Sequence, residues 1–207
     1  RSSDLKNAAE LVSMIKSIPG IDNVTLTTNG ILLGEQIQDL ARAGIDAVNI
    51  SLDALTEDMF EKITRRKGLD RVLEGMDKAL QFPHVRVKVN CVLLHGVNED
   101  QWIPIAGLAK DRPVDVRFIE MMPIGYGRKY CGEETEDHVR HLLEGAYGKA
   151  DSLSGRFGNG PSTYMQLEGF KGKIGFISAI SHKFCEDCNR VRLTSEGFLK
   201  PCRSEER

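Results

Sequence analysis

Apolar positions along the chain follow two alternating rhythms. Leu5, Ala8, Leu11 or Val12, Ile15 and Ile18 recur at helical spacing behind Asp4, a side chain suited to capping, and Pro19-Gly20 ends the run. Residues 24–28 read as a strand, followed by Asn29-Gly30. A helix over 35–43, closed by Gly44, leads to a second strand over 47–52. Helices over 57–64 and 69–80 precede a strand over 85–94, broken at Gly96. Asn98 can cap a helix running to about residue 110, which Pro104 should kink or restart, and 114–119 forms a fourth strand. Strands alternating with helices predict a parallel sheet with right-handed crossovers, either half of a (β/α)8 barrel or a small open sheet. After Pro123 the texture changes. Residues 124–133 are loop-like, 135–144 a short helix, 145–161 glycine-rich and irregular, and 164–167 and 174–180 two strands of a hairpin. The predicted architecture is α/β: a partial (β/α) barrel over 1–123, then a smaller α+β region over 124–207.

Alternation within the strands sorts their side chains into two faces. Thr25, Thr27 and Asn29 oppose Val24 and Leu26; Asn49, Ser51 and Asp53 oppose Val48, Ile50 and Leu52. Arg86, Lys88 and Asn90 oppose Val85, Val87 and Val89; Asp115, Arg117, Ile119 and Met121 oppose Val114, Val116 and Phe118. Helices should cover the apolar face. The polar face could simply be solvated, but parallel sheets are normally covered on both sides, and polar rows facing a concave interior are costly unless they bind something. A ligand-binding interior is the expectation, with active ends near Asn29, Ser51 to Asp53, Asn90 and Glu120 to Met122.

Composition narrows the choice of ligand. The 207 residues carry 28 basic and 30 acidic side chains, a net charge of −2, which argues against a general nucleic-acid or membrane-surface binder. No apolar run is long enough to span a bilayer and no signal peptide is visible. Five cysteines, three of them clustered, favour a metal site in a reducing cytoplasm over a disulfide framework.

The clustered three are Cys185, Cys188 and Cys202, at C-x2-C-x13-C spacing. Thr194-Ser195-Glu196-Gly197 between them reads as a tight turn, with Val191 and Leu193 on one side and Phe198 and Leu199 on the other. If Thr194 pairs with Gly197, Cys202 falls opposite Asn189, and a one-residue bulge would set it opposite Cys188. A hairpin so returns the third sulfur to the first two. With His182 as fourth ligand the set would make a closed Cys3His zinc site; without it, three thiolates would hold an iron–sulfur cluster with one iron open. Spacing does not decide between them. Cys91 and Cys131 read as bystanders. Arg190 and Arg192 share one face just after Cys188; they are either solvated edge charges or, with Arg86, Lys88 and Arg117, a clamp for a small anionic substrate.

An ordered series of segments then becomes recognisable: Leu26-Thr27-Thr28-Asn29-Gly30, Val48-Asn49-Ile50-Ser51-Leu52-Asp53-Ala54, Ile63-Thr64-Arg65-Arg66, Val87-Lys88-Val89-Asn90, Gly96-Val97-Asn98-Glu99-Asp100, Arg117-Phe118-Ile119-Glu120-Met121-Met122-Pro123, and the C-x2-C-x-R-x-R hairpin closed by Cys202. The series resembles the GTP 3',8-cyclase family of radical S-adenosylmethionine enzymes, which acts in molybdenum cofactor biosynthesis, over nearly the whole chain. The resemblance implies an incomplete (β/α)6 barrel with a [4Fe-4S] cluster at each end. The N-terminal cluster cleaves S-adenosylmethionine, and the resulting radical abstracts hydrogen from the GTP ribose. The ribose carbon then attacks guanine to give (8S)-3',8-cyclo-7,8-dihydroguanosine 5'-triphosphate. The resemblance assigns the second, GTP-holding [4Fe-4S] cluster to Cys185, Cys188 and Cys202. It assigns GTP contacts to Thr27, Lys88, Arg190, Val191 and Arg192, and positions beside S-adenosylmethionine to Ser51 and Met122. By strand parity Met122 falls on the helix side, so a bulge or strand end would have to turn it inward.

The family's N-terminal C-x3-C-x2-C motif and its G-G-E-P strand are not in this sequence, nor is its Gly-Gly tail. We therefore expect a piece of a longer enzyme, inactive alone, with the ligands of the radical-generating cluster elsewhere and an exposed sheet edge beside the first strand. The resemblance further implies a cytoplasmic setting, compatibility with a homodimer, and a functional partner in cyclic pyranopterin monophosphate synthase. The competing readings are a radical enzyme with an auxiliary cluster acting on a peptide, and a non-enzymatic zinc module using His182.

Overall fold

The computed structural model describes residues 7–132, 135–155, 162–182 and 190–200. In chain order the elements are α1 (Ala8–Lys16), β1 (Thr25–Thr28), α2 (Leu33–Arg42), β2 (Ala47–Ser51), α3 (Glu57–Thr64), α4 (Leu69–Ala79), β3 (Arg86–Val92), α5 (Trp102–Asp111), β4 (Asp115–Ile119), α6 (Glu136–Tyr147), β5 (Ala150–Leu153), β6 (Thr163–Leu167), β7 (Ile174–Ile177), β8 (Arg192–Leu193) and β9 (Leu199–Lys200). One sheet of seven strands runs β1-β2-β3-β4-β7-β6-β5, and β8 and β9 pair separately. Strands β1, β2, β3, β4 and β7 are parallel neighbours, while β6 and β5 add antiparallel. The fold is thus α/β with a mostly parallel sheet.

The apolar strand positions do what their pattern requires. Val48, Ile50, Val87, Val89, Val116 and Phe118 are buried, and they join Leu33, Ile37, Leu40, Val72, Met76, Ile105 and Ala106 from the helices in one core. Phe118 and Phe176 face each other in register across β4 and β7, with stacked rings 6.1 Å apart. That pair welds the strand from beyond residue 123 onto the four β/α strands.

Three local expectations change. Pro104 does not interrupt its helix, which runs unbroken from Trp102 to Asp111. A 3-10 turn over Glu99–Gln101 precedes α5, so the proline falls in the first turn of α5, where a backbone N–H has no intrahelical partner anyway. Asn98 does not cap with its side chain. Its Oδ1 instead accepts from the Leu94 N–H and the Trp102 indole, and its Nδ2 donates to the carbonyls of Asp53 and Val92, tying the ends of β2 and β3 to α5. The stretch expected to be irregular contains β5, which pairs with β6.

The β8–β9 turn also differs. Thr194 N–H donates to the Phe198 carbonyl and Gly197 N–H to the Thr194 carbonyl, with Gly197 at φ +86°. This is a three-residue loop with a glycine bulge, not a two-residue turn. Arg192 therefore faces Lys200, and Leu193 faces Leu199. The register is shifted by one step, in the sense opposite to the bulge that would set Cys202 against Cys188. Cys185, Cys188 and Cys202 themselves lie outside the described residues.

Candidate functional site

The polar strand face lines a cavity of about 530 Å³, within the roughly 300–1,000 Å³ of small-molecule sites. Thr25 and Thr27 of β1, Asn49 of β2, Arg86, Lys88 and Asn90 of β3, and Arg117 and Ile119 of β4 all contribute to its wall. Alternation put them there: each is two residues from the next on its strand, and register aligns the rows. Thr27 is level with Asn49, Asn49 with Lys88, and Asn90 with Arg117. The far wall comes from later in the chain, from Ser162, Tyr164, Ile177, Arg190 and Arg192.

Among the described residues the lining holds five cations, Arg86, Lys88, Arg117, Arg190 and Arg192, against one carboxylate, Asp46. In a chain of net charge −2 this is a strong local excess, and a partly enclosed wall raises its effect on an anion. Asp46 adds little opposing charge toward a ligand, because it is already occupied. Lys16 Nζ lies 2.8 Å from one of its oxygens and the Val24 N–H donates to the same oxygen at 2.6 Å. Burial pushes its carboxyl up, but Lys16, Val24 and the charge of Arg86 outweigh that, and the net shift is downward.

Lys88 is 5% exposed. Its ammonium lies 3.1 Å from the Tyr164 hydroxyl, 3.8 Å from Asp115 and 5.4 Å from the Tyr164 ring centre. Arg117 is held from β2 and β3: Nε donates to Asn90 Oδ1 at 2.9 Å and Nη2 to Asn49 Oδ1 at 2.7 Å. Burial lowers its pKa, Tyr164 and Asp115 oppose that, and Arg190 lowers it further. Arg117 and Arg190 are close enough to repel, an arrangement that an anion between them would relieve.

Among the predicted site residues, Thr27, Lys88, Arg190 and Arg192 come together on this cavity. Val191, between the two arginines, is exposed and off the lining. Ser51 is also off the lining, but it is exposed and level with Asn90, one step toward the C-terminal edge of the strands. Met122 is half-buried beyond the end of β4, and its carbonyl accepts from the Ile124 N–H. His182 is exposed, and no group of three or more metal-ligating side chains occurs among the described residues. Cys91 is wholly buried and Cys131 donates to the Met121 and Gly127 carbonyls, in keeping with bystander roles.

Sequence reasoning missed Ser162 and Tyr164. The Ser162 hydroxyl is buried and, among the described residues, has no hydrogen-bond partner. A faint signal existed, since Ser162, Tyr164 and Gln166 alternate with Thr163, Met165 and Leu167. Which side faces the cavity depends on β7 pairing with β4, a contact that nothing local encodes. Among the described residues no helix is long and apolar enough to cross a membrane.

Comparison with known proteins identifies the lineage. Residues 2–109 match the Radical SAM superfamily, and residues 114–207 match Molybdenum Cofactor Synthesis C. The GTP 3',8-cyclase of Clostridium perfringens (strain 13 / Type A) is 47% identical over 193 residues, covering 93% of this chain and 59% of that protein. The GTP 3',8-cyclase of Alkaliphilus metalliredigens is 41% identical, covering 95% and 61%. Molybdenum cofactor biosynthesis protein 1 of Drosophila melanogaster is 41% identical, covering 95% of this chain and 35% of that one. The chain spans about three fifths of the length of these bacterial relatives. With more than half of its residues inside the first match, the chain belongs to the radical SAM superfamily.

Proposed function

We propose that this chain is the substrate-holding part of a GTP 3',8-cyclase, which converts GTP to (8S)-3',8-cyclo-7,8-dihydroguanosine 5'-triphosphate in molybdenum cofactor biosynthesis. The observation that carries the reading is the cation-rich cavity on the polar face of a mostly parallel sheet. A (β/α) barrel left incomplete would present that face as its interior. The size suits a nucleotide, and the charge suits a triphosphate.

In this reading Lys88, Arg190 and Arg192 take the phosphates, with Arg117 beside them and Thr27 contributing a hydroxyl. Arginine forks match phosphate oxygens in pairs, while the Lys88 ammonium acts as a buried point charge. Val191, exposed and off the lining, would meet the nucleotide from its place between the two arginines. Ser51 and Met122, toward the C-terminal ends of the strands, would flank S-adenosylmethionine, the expected position for the reacting end of such a sheet.

Cys185, Cys188 and Cys202 would hold a [4Fe-4S] cluster; three soft thiolates and no fourth cysteine in the stretch fit a cluster with one iron left for another ligand. When bound, that cluster supplies a Lewis-acidic iron to which the substrate can attach. A second [4Fe-4S] cluster would generate the radical in the complete enzyme. The same reading carries homodimer assembly, and cyclic pyranopterin monophosphate synthase as functional partner, as further proposals.

Anaerobic reconstitution with iron and sulfide tests the reading. The expected product is brown, with close to four irons and four sulfides per chain. Stoichiometric zinc without iron, lost on His182→Ala, would instead make the protein a zinc module. A cluster that forms but is indifferent to GTP would favour a peptide substrate.

A further inference from the structure

The cavity's far wall contains a device that its sequence does not advertise. Tyr164 of β6 and Arg117 of β4 are both level with Gly175 of β7, which lies between them. A side chain at 175 would meet both: a Cβ there would sit 2.7 Å from Tyr164 Cε1 and 3.0 Å from Arg117 Cγ. Real Cβ contacts are not that short, so the glycine leaves a gap that the ring and the arginine stem share. Through this gap the Tyr164 ring, 4% exposed, lies over toward β3 and brings its hydroxyl to 3.1 Å from Lys88 Nζ.

Lys88 and Tyr164 are 76 residues apart and on strands separated by β4 and β7. The ammonium meets the hydroxyl, the ring face at 5.4 Å and the Asp115 carboxylate at 3.8 Å. A lysine carries its charge on a flexible four-carbon stem, and the Asp115 carboxylate at 3.8 Å is a loose partner that would not by itself set its direction. The tyrosine oxygen and ring add two neutral contacts to the Asp115 ion pair, and so fix the ammonium without adding negative charge to the cavity.

We infer that Tyr164, seated by Gly175, is a positioning residue that fixes the Lys88 ammonium for the phosphate groups of the nucleotide. Ser162, two residues earlier on the same side of the strand, lines the same cavity with its buried hydroxyl. The inference rests on the nucleotide reading and adds a residue to it. It does not make Tyr164 a catalytic residue, since it acts through Lys88.

The test is a double-mutant cycle on the anaerobically reconstituted chain, read by calorimetric titration with GTP and with guanosine. Tyr164→Phe keeps the ring and removes the hydroxyl. It should weaken GTP about fivefold, leave guanosine unchanged, and leave the melting temperature within a few degrees. In a Lys88→Met background the same change should alter GTP affinity by less than about twofold. Gly175→Ala, which crowds the ring, should weaken GTP in the wild-type background more than in the Lys88→Met background. An equal loss with and without Lys88, an equal loss for guanosine, or no loss at all would overturn the inference while leaving the nucleotide reading standing. A wild-type chain that binds guanosine as tightly as GTP would overturn both.

Discussion

Glu120, one residue past β4, and Ser181, 61 residues later, are joined through the Glu120 carboxylate. Oε2 accepts from the backbone N–H groups of Ile180 and Ser181 at 2.8 and 3.0 Å, and Oε1 accepts from the Ser181 hydroxyl. The Glu136 N–H adds a longer contact at 3.4 Å. Glu120 is 5% exposed, so this is a buried carboxylate fully engaged in holding backbone. It sits among the strand ends where sequence reasoning expected active residues, and it acts there as a structural tie. The tie ends four residues before Cys185.

Removing that carboxylate leaves two or more N–H donors without a partner. Glu120→Ala should cost about 2–4 kcal/mol in urea unfolding, whereas Glu120→Gln, which keeps one oxygen, should cost about half as much. A change below about 0.5 kcal/mol for the alanine variant would contradict the tie.

Asp53, two residues past β2, should make stability depend on pH. Its Oδ1 accepts from the Val92 N–H at 2.7 Å, yet burial outweighs that bond and pushes its pKa from 3.8 up to about 6. The folded state therefore binds this proton more tightly than the unfolded state. The contribution is fully present below about pH 4 and is lost as the pH rises through about 6. Asp53→Asn keeps the acceptor and removes the ionisation. Its stability relative to wild type should rise between pH 4 and pH 7 by on the order of 2 kcal/mol. A constant offset across that range, measured by thermal unfolding, would contradict the shift.

The Phe118–Phe176 pair carries the junction between β4 and β7, with both rings no more than 2% exposed. Phe176→Ala should destabilise by about 3–5 kcal/mol. The loss should appear in the urea midpoint with little change in slope. A cost of less than about 1 kcal/mol would mean that the C-terminal strands are not packed into the main core.

Cys91 should be chemically silent. It is fully buried; burial, and then the nearby Asp53 charge, push its thiol well above the ordinary range. Iodoacetamide at pH 8 should leave it unlabelled in the folded chain and label it in denaturant. Rapid labelling under native conditions would show that the β2–β3 end opens readily.

Much of this was legible from the chain. Strand alternation alone placed Thr27, Asn49, Lys88, Asn90 and Arg117 on one face, because a period of two leaves no choice once the apolar partners are buried. Helix positions followed from the separate 3.6-residue apolar rhythm. The β6–β7 hairpin was expected, but local pattern could not reveal that β7 pairs with β4, since that pairing joins residues about sixty apart by register. Tyr164 and Ser162 were missed with it, and so was the role of Gly175, whose lack of a side chain matters only once two neighbours lean over it. Asn98 misled for a different reason. An asparagine before a helix is a good cap, but here its buried amide has four stronger demands on it from β2, β3 and α5. The β8–β9 register turned on one residue, Gly197, whose positive φ serves a bulged loop as readily as a two-residue turn.

The central claim is that the cavity presents GTP to the iron–sulfur cluster through its cations. Electron paramagnetic resonance of the reduced, reconstituted chain tests it most directly. GTP should shift the cluster's g values in the wild-type chain, and the shift should vanish in Arg190→Ala/Arg192→Ala although iron and sulfide content stay the same. A spectrum that GTP leaves unchanged in the wild type, or a shift that survives the loss of both arginines, would contradict the account.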